Sequence, residues 1–201
     1  MNHYEFKNYC SAERWASYYR QLDEILKMKP ASVLEIGVGD GVLGNYLKKN
    51  TEIKYTGMDS NRELAPDILG SIEKIPLPDA AFDLVCAFEV LEHLPYEKFA
   101  SCLQELRRVA INHVIISLPH WGRHFSFDLR LPFIKRLKGM LKLNLCPARH
   151  EFNGQHHWEI GKQDYPIGRI REAIRAARLE LIDDYVVFES PYHHFFITRK
   201  C

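Results

Sequence analysis

No CxxC pair occurs among the five cysteines, Cys10, Cys86, Cys102, Cys146 and Cys201. The chain therefore carries neither a zinc knuckle nor a thioredoxin-like motif. The cysteines are odd in number and widely spaced, and Cys86 and Cys102 sit among apolar residues, so they read as reduced thiols in a core. No run approaches the ~20 apolar residues that span a bilayer. Residues 1–29, rich in Tyr, Lys and Glu, lack the apolar stretch of a secretory signal, and a cytoplasmic location is expected. Excess charge is also missing: 27 Lys and Arg against 26 Asp and Glu leave +1. Nothing in bulk would hold a polyanion, so nucleic acid is not an expected partner. Internal repeats and low-complexity segments are absent. What remains is an ordinary globular composition over 201 residues, 46% hydrophobic and 26% charged. That length suits one domain, 1–201.

The hydrophobic period alternates between the helical and the strand value, which marks an α/β chain. Residues 11–28 predict a helix with Trp15, Tyr18, Tyr19, Leu22, Ile25 and Leu26 on one stripe, so that 1–29 forms a helical cap. Strands are expected at 33–36, 54–59, 82–88 and 113–118, with a weaker one near 68–71. Helices are expected at 42–49, from Pro95 to about Val109, and at 169–178. Residues 181–189 and 193–199 read as a closing antiparallel hairpin at a sheet edge, which makes His193 and His194 surface residues. The fold class is thus a Rossmann-like, mostly parallel seven-stranded sheet with an antiparallel last strand and helices on both faces. Residues 120–165 break the rhythm and are too long for an ordinary connection. They read as an inserted lid after the fifth strand, with an acceptor site beneath.

The densest signal is Val33-Leu34-Glu35-Ile36-Gly37-Val38-Gly39-Asp40-Gly41. A buried strand runs into alternate glycines and then a helix. The glycines allow a sharp turn and close approach of a ligand, and the helix start offers free N–H groups. Asp59 ends the next strand, where a carboxylate can accept from both hydroxyls of a ribose. A dinucleotide fingerprint needs a third glycine where Val42 stands. Glu35 beside the loop would repel a pyrophosphate but suits a cationic amino-acid end. S-adenosylmethionine is therefore favoured over NAD. A nicotinamide oxidoreductase and a catalytically inactive S-adenosylmethionine-binding scaffold are the alternatives.

The segments VLEIGVGDG, YTGMDS and GSIEKIPLPDAAFDLVCAFEVLEHLP, in that order and spacing, resemble the motifs of class I S-adenosylmethionine-dependent methyltransferases. The resemblance is closest to the small-molecule group that includes ubiquinone-biosynthesis-like enzymes, and it covers residues 30–118. It implies that Gly37, Gly39 and Gly41 underlie the methionine and ribose of the cofactor. It further implies that Glu35 fixes the loop and the amino group, and that Asp59 takes the ribose with Ser60 beside it. The place the family gives to an acidic adenine ligand holds Ser71 here, followed by Ile72. Phe88 and Glu89 are implied to line the reactive end.

Methyl transfer from a sulfonium chiefly needs alignment, and a base only where the acceptor must lose a proton. His93, His120 and His157 are the candidate catalytic residues. His93 follows the cofactor-lining strand, and His120 ends the 113–118 strand. His157 belongs to the cluster His156-His157-Trp158-Glu159. Adjacent histidines point apart on a strand and no third ligand has suitable spacing, so no metal is expected.

Between Arg123 and Arg149 seven Lys and Arg face Asp128 alone, with Leu131, Phe133, Ile134, Leu137, Met140, Leu141 and Leu145 interleaved. Ile134, Leu137 and Leu141 predict a basic amphipathic helix. It reads as a lid over an anionic acceptor, as a peripheral membrane contact through 130–145, or as a helix that packs on the domain and solvates its charges. The expected acceptor is a small-molecule or lipid- or sugar-linked compound, methylated at oxygen.

Overall fold

The computed structural model describes residues 5–130, 132–133, 136–143 and 146–201. A four-residue turn, α1 (Phe6–Tyr9), precedes α2 (Ala12–Met28). Ser11 caps α2 by accepting the Arg14 N–H at 3.1 Å. At its other end Lys29 takes a left-handed conformation before Pro30, which cannot continue a helix. Tyr18 and Ile25 of the expected stripe are buried. Trp15, Tyr19 and Leu26 are largely exposed instead, and the stripe turns through Ser17, Gln21 and Glu24.

Next come β1 (Ser32–Ile36), α3 (Val42–Asn50), β2 (Lys54–Asp59), β3 (Ile68–Leu69), β4 (Phe82–Phe88), α4 (Phe99–Val109) and β5 (Ala110–Pro119). The chain closes with β6 (Arg123–Leu129), β7 (Leu137–Leu143), α5 (Ile167–Ala176), β8 (Leu179–Val187) and β9 (Ser190–Lys200). Seven strands form one sheet in the order β3-β2-β1-β4-β5-β9-β8. β1 to β5 pair in parallel, and β9 runs antiparallel to both β5 and β8.

Alternate residues of the central strands feed two cores. Leu34, Ile36, Val85, Ala87, Val114 and Ile116 pack on one face with α4 and α5. Val33, Leu84, Cys86, Ile115, Phe195 and Ile197 pack on the other, with Ile25 of α2 and Leu43 and Leu47 of α3. Helices cover both faces, so the strands are apolar on both sides. Cys86 and Cys102 are buried free thiols.

Two expectations are corrected. First, His193 and His194 are not surface residues: they are only 5% and 4% exposed. The edge strand is β8, and β9 lies inside the sheet. Second, the described part of the amphipathic element expected near 130–145 is no helix: Leu137–Leu143 is the second arm of a hairpin. β6 and β7 pair from Leu129↔Leu137 to Arg123↔Leu143. Leu137 and Leu141 are four residues apart, a spacing that a helix stripe and a strand face share. Phe125, Phe127 and Leu129 alternate in the first arm and set the period. Leu131, Ile134, Lys135 and Leu145 lie outside the described residues.

The hairpin is amphipathic, with Phe125, Leu129, Leu137 and Leu141 exposed on one face. Three of its cations have partners. Arg136 pairs with Asp128, Lys138 pairs with Glu189, and Lys142 Nζ donates to the carbonyls of His120 and Pro191. The rest of the insertion returns to the core, where Trp158 and Ile160 are fully buried.

Candidate functional site

β1 is flanked by β2, which follows it in the chain, and by β4. Strand order therefore reverses at β1, and the crevice at the carboxyl ends of its strands is where an open α/β sheet takes a ligand. A cavity of about 560 Å³ opens there.

Its floor is the glycine loop. Gly37, Gly39 and Gly41 have φ of +83°, +53° and +75°, a region that favours glycine. Gly37 also has a packing reason, because a Cβ there would stand 2.5 Å from Val90 Cγ2. Its N–H donates to the Met58 carbonyl at 2.8 Å, tying the loop to β2. Asp59 completes the tie. Its Oδ2 accepts the Val38 N–H at 3.0 Å and its Oδ1 the Asn61 N–H at 2.8 Å. A carboxylate has about four acceptor sites, so two backbone bonds leave capacity for a diol.

The cavity wall is acidic. Glu35, Asp40, Asp59 and Glu89 line it with Arg14. Glu35 is buried and accepts a hydrogen bond from Tyr55 Oη on the neighbouring strand. Burial pushes its carboxyl up to about 8; the Tyr55 bond opposes this, and the negative charges of Asp40 and Asp59 add to it. Glu89 follows β4 at φ +53°, a strained setting for a non-glycine residue. Burial raises it to about 8 as well, although Ser117 Oγ donates to its Oε1 at 2.8 Å. Asp40 accepts from Tyr18 Oη at 2.7 Å, which brings α2 over the loop. Four carboxyls facing the single cation Arg14 suit a ligand carrying a cationic centre. A cofactor with an ammonium and a sulfonium fits that set; a pyrophosphate does not.

Nine of the ten residues expected to hold the cofactor line this cavity: Glu35, Gly37, Gly39, Asp59, Ser60, Ser71, Ile72, Phe88 and Glu89. Gly41 caps α3 and faces an adjoining cavity instead. Ser71 Oγ accepts the Glu73 N–H at 3.2 Å, which leaves its hydroxyl hydrogen and a second lone pair available.

The histidines separate. His93 lines the cavity, with Nδ1 3.0 Å from the Gln155 carbonyl. His120 and His157 do not appear on its wall. His120 stacks on His194, Nδ1 to Nδ1 at 2.8 Å, and burial pushes it down to about 3. His157 turns onto Phe152, and its N–H holds the Glu92 carbonyl. The residues beside them occupy the wall: His156, Tyr192 and His193. Sequence reasoning missed this because the choice between His156 and His157 depends on which way the segment faces. Trp158 decides it. Its indole is fully buried and donates to the Leu94 carbonyl at 3.1 Å, fixing the alternation of its neighbours.

Comparison with known proteins agrees with this geometry. Residues 34–117 match the family model described as a methyltransferase domain. Ajmaline N-methyltransferase of Rauvolfia serpentina is 30% identical over 138 residues, 55% of this chain and 46% of the relative. The chain thus spans about half the length of that curated relative. Among solved structures, the Burkholderia thailandensis 1,6-didemethyltoxoflavin N1-methyltransferase, with bound S-adenosylhomocysteine, superposes at a TM-score of 0.62. It covers 94% of this chain and 78% of its own at 16% identity. An S-adenosylmethionine-dependent methyltransferase of Clostridium acetobutylicum gives 0.62 over 98% and 95% at 8% identity. At those identities the structural likeness speaks for the fold.

Proposed function

From the premise that this chain carries a class I S-adenosylmethionine-dependent methyltransferase domain, we propose that it transfers a methyl group from that cofactor to a small-molecule acceptor. The observation that carries the reading is the acidic cavity over the glycine loop, closed by Asp59 at the end of β2. Asp59 is assigned to the ribose, and Ser71 with Ile72 to the adenine. Glu35 is assigned to the amino-acid end, and Phe88 with Glu89 to the reactive end. The cofactor supplies an activated methyl on a sulfonium, so the side chains have mainly to align the acceptor and exclude water. Of the three histidines expected near the acceptor, only His93 is assigned to the acceptor side of the cavity, because it lies on the cavity wall.

Two of the relatives named above, the ajmaline and the 1,6-didemethyltoxoflavin enzymes, methylate nitrogen, whereas oxygen was expected from the sequence. An anionic acceptor has less support than the basic composition of 123–149 suggests, because Arg136, Lys138 and Lys142 already have partners. If the acceptor is lipid-linked, the exposed face of Phe125, Leu129, Leu137 and Leu141 is where a membrane would meet the chain. The test is transfer of labelled methyl to panels of small phenols, amines and carboxylic acids. A labelled product identifies the acceptor atom. Cofactor binding without transfer to any panel member would favour a scaffold.

A further inference from the structure

Glu92 has no exposed surface, and among the described residues no other donates a hydrogen bond to either carboxylate oxygen. It lies in the single turn Leu91–His93 after β4. Transferring an unpaired carboxylate into such a place is strongly unfavourable, so the fold must neutralise it with a proton or a cation. Two imidazoles face it. The ligand atoms of Glu92, His93 and His156 all lie within 4.8 Å of one another, and His156 Nε2 is 4.0 Å from Glu92 Oε1.

The orientation of both rings is set from behind. His93 Nδ1 lies 3.0 Å from the Gln155 carbonyl. A carbonyl only accepts, so the proton sits on Nδ1 and the lone pair on Nε2. His156 Nδ1 lies 3.1 Å from Glu159 Oε1, and Tyr192 Oη donates to that same oxygen at 2.8 Å. Here too Nδ1 carries the proton and Nε2 is free. An imidazole held at Nδ1 by a carbonyl or carboxylate, with Nε2 turned inward, is the usual arrangement around a bound metal ion.

We propose that Glu92, His93 and His156 bind one divalent first-row cation of the zinc class. Two imidazole nitrogens and one carboxylate oxygen form a borderline donor set that suits such an ion. Bonds of roughly 2.0–2.2 Å to each ligand need only small side-chain closure from the observed separations. Three protein ligands leave at least one coordination position open. His93 and His156 line the cavity, so that position can take an oxygen or nitrogen lone pair of an acceptor bound there. This role deepens the methyl-transfer reading and rests on it; binding of the ion does not. The expectation that no metal binds rested on His156 and His157 diverging. They do diverge, but the partners of His156 come from a turn more than sixty residues earlier.

The test uses the full chain after treatment with a chelator. Zn²⁺ is titrated calorimetrically, and Co²⁺ is followed by its visible absorption. One equivalent is expected, with affinity lowered at least tenfold by Glu92→Gln, His93→Ala and His156→Ala, and unchanged by His157→Ala. His93 is exposed, so its variant keeps the test open if Glu92→Gln fails to fold. Absence of saturable binding would overturn the proposal. So would binding that survives in both histidine variants, which would belong to surface histidines and thiols. S-adenosylmethionine titrated in chelator separates the two readings. Cofactor binding without metal binding removes this site alone, and metal binding without cofactor binding removes the methyl-transfer reading alone.

Discussion

Asp59 Oδ2 accepts the Val38 N–H at 3.0 Å, so the carboxylate at the end of β2 also anchors the glycine loop after β1. One side chain thereby shapes the floor of the cavity and presents acceptors to what lies on it. Asp59→Ala should weaken S-adenosylmethionine binding tenfold or more, consistent with about 1.5–3 kcal/mol for hydrogen bonds to a charged group. It should also lower the Tm of the ligand-free protein, because two backbone N–H groups lose their partner. Asp59→Asn, which keeps an acceptor, should do less on both counts. Calorimetry and thermal melting measured together check this, and unchanged affinity in the alanine variant would remove the ribose assignment.

Gly37→Ala should destabilise the fold through two separable causes. A Cβ meets Val90 Cγ2 at 2.5 Å, and φ is +83°. The conformation alone costs roughly 1–2 kcal/mol for a residue with a Cβ. Adding Val90→Ala relieves the contact but not the backbone, so the double variant should recover part of the lost stability. Equal melting of the single and double variants would mean that Val90 yields freely and the backbone carries the whole cost.

Stability should depend on pH through the buried carboxyls. Glu35 is pushed from 4.5 to about 8 by burial, and Glu89 likewise. The folded carboxyl keeps its proton where the unfolded one has lost it, so the contribution is complete below pH 4.5 and is lost as pH rises through about 8. His120 at about 3, and His193 and His194 at about 4, act in the opposite sense. Their contribution is present above 6.5 and lost as pH falls through those values. Between pH 6.5 and about 8.5 the carboxyls therefore dominate, and the Tm of the ligand-free protein should fall. Glu35→Gln and saturating S-adenosylmethionine should each reduce that fall. A Tm that is level across this window contradicts the assignment.

The hairpin is fastened to the body by Lys142, whose Nζ donates to Pro191 O at 2.6 Å and to the His120 carbonyl. Burial lowers this lysine to about 8, as expected for a cation held away from water. Lys142→Met should free the hairpin. Proteolytic cleavage within 121–145 should speed up severalfold, while S-adenosylmethionine affinity stays within about twofold. Loss of cofactor affinity would place the hairpin in the cofactor pocket.

Much of the sheet was legible in the sequence because its signals are local. A buried strand runs straight into alternate glycines, an acidic residue ends the very next strand, and the strand and helix periods differ. What the sequence hid depends on distant partners. His193 and His194 look like edge residues until β8 is seen to cover β9. Leu137 and Leu141 fit a helix stripe until β6 pairs with them. Glu92 and His156 are far apart in the chain, and only the return of Trp158 and Ile160 to the core brings them together. Local pattern sets the scaffold, while the wall that carries His156, Tyr192 and His193 is assembled by long-range packing.

The most direct test of the central claim is calorimetric titration of the full chain with S-adenosylmethionine, S-adenosylhomocysteine and NAD. The account predicts saturable binding of the two adenosyl compounds at one per chain, weakened tenfold or more in Asp59→Ala, and no binding of NAD. Saturable binding of NAD with none of S-adenosylmethionine would contradict it.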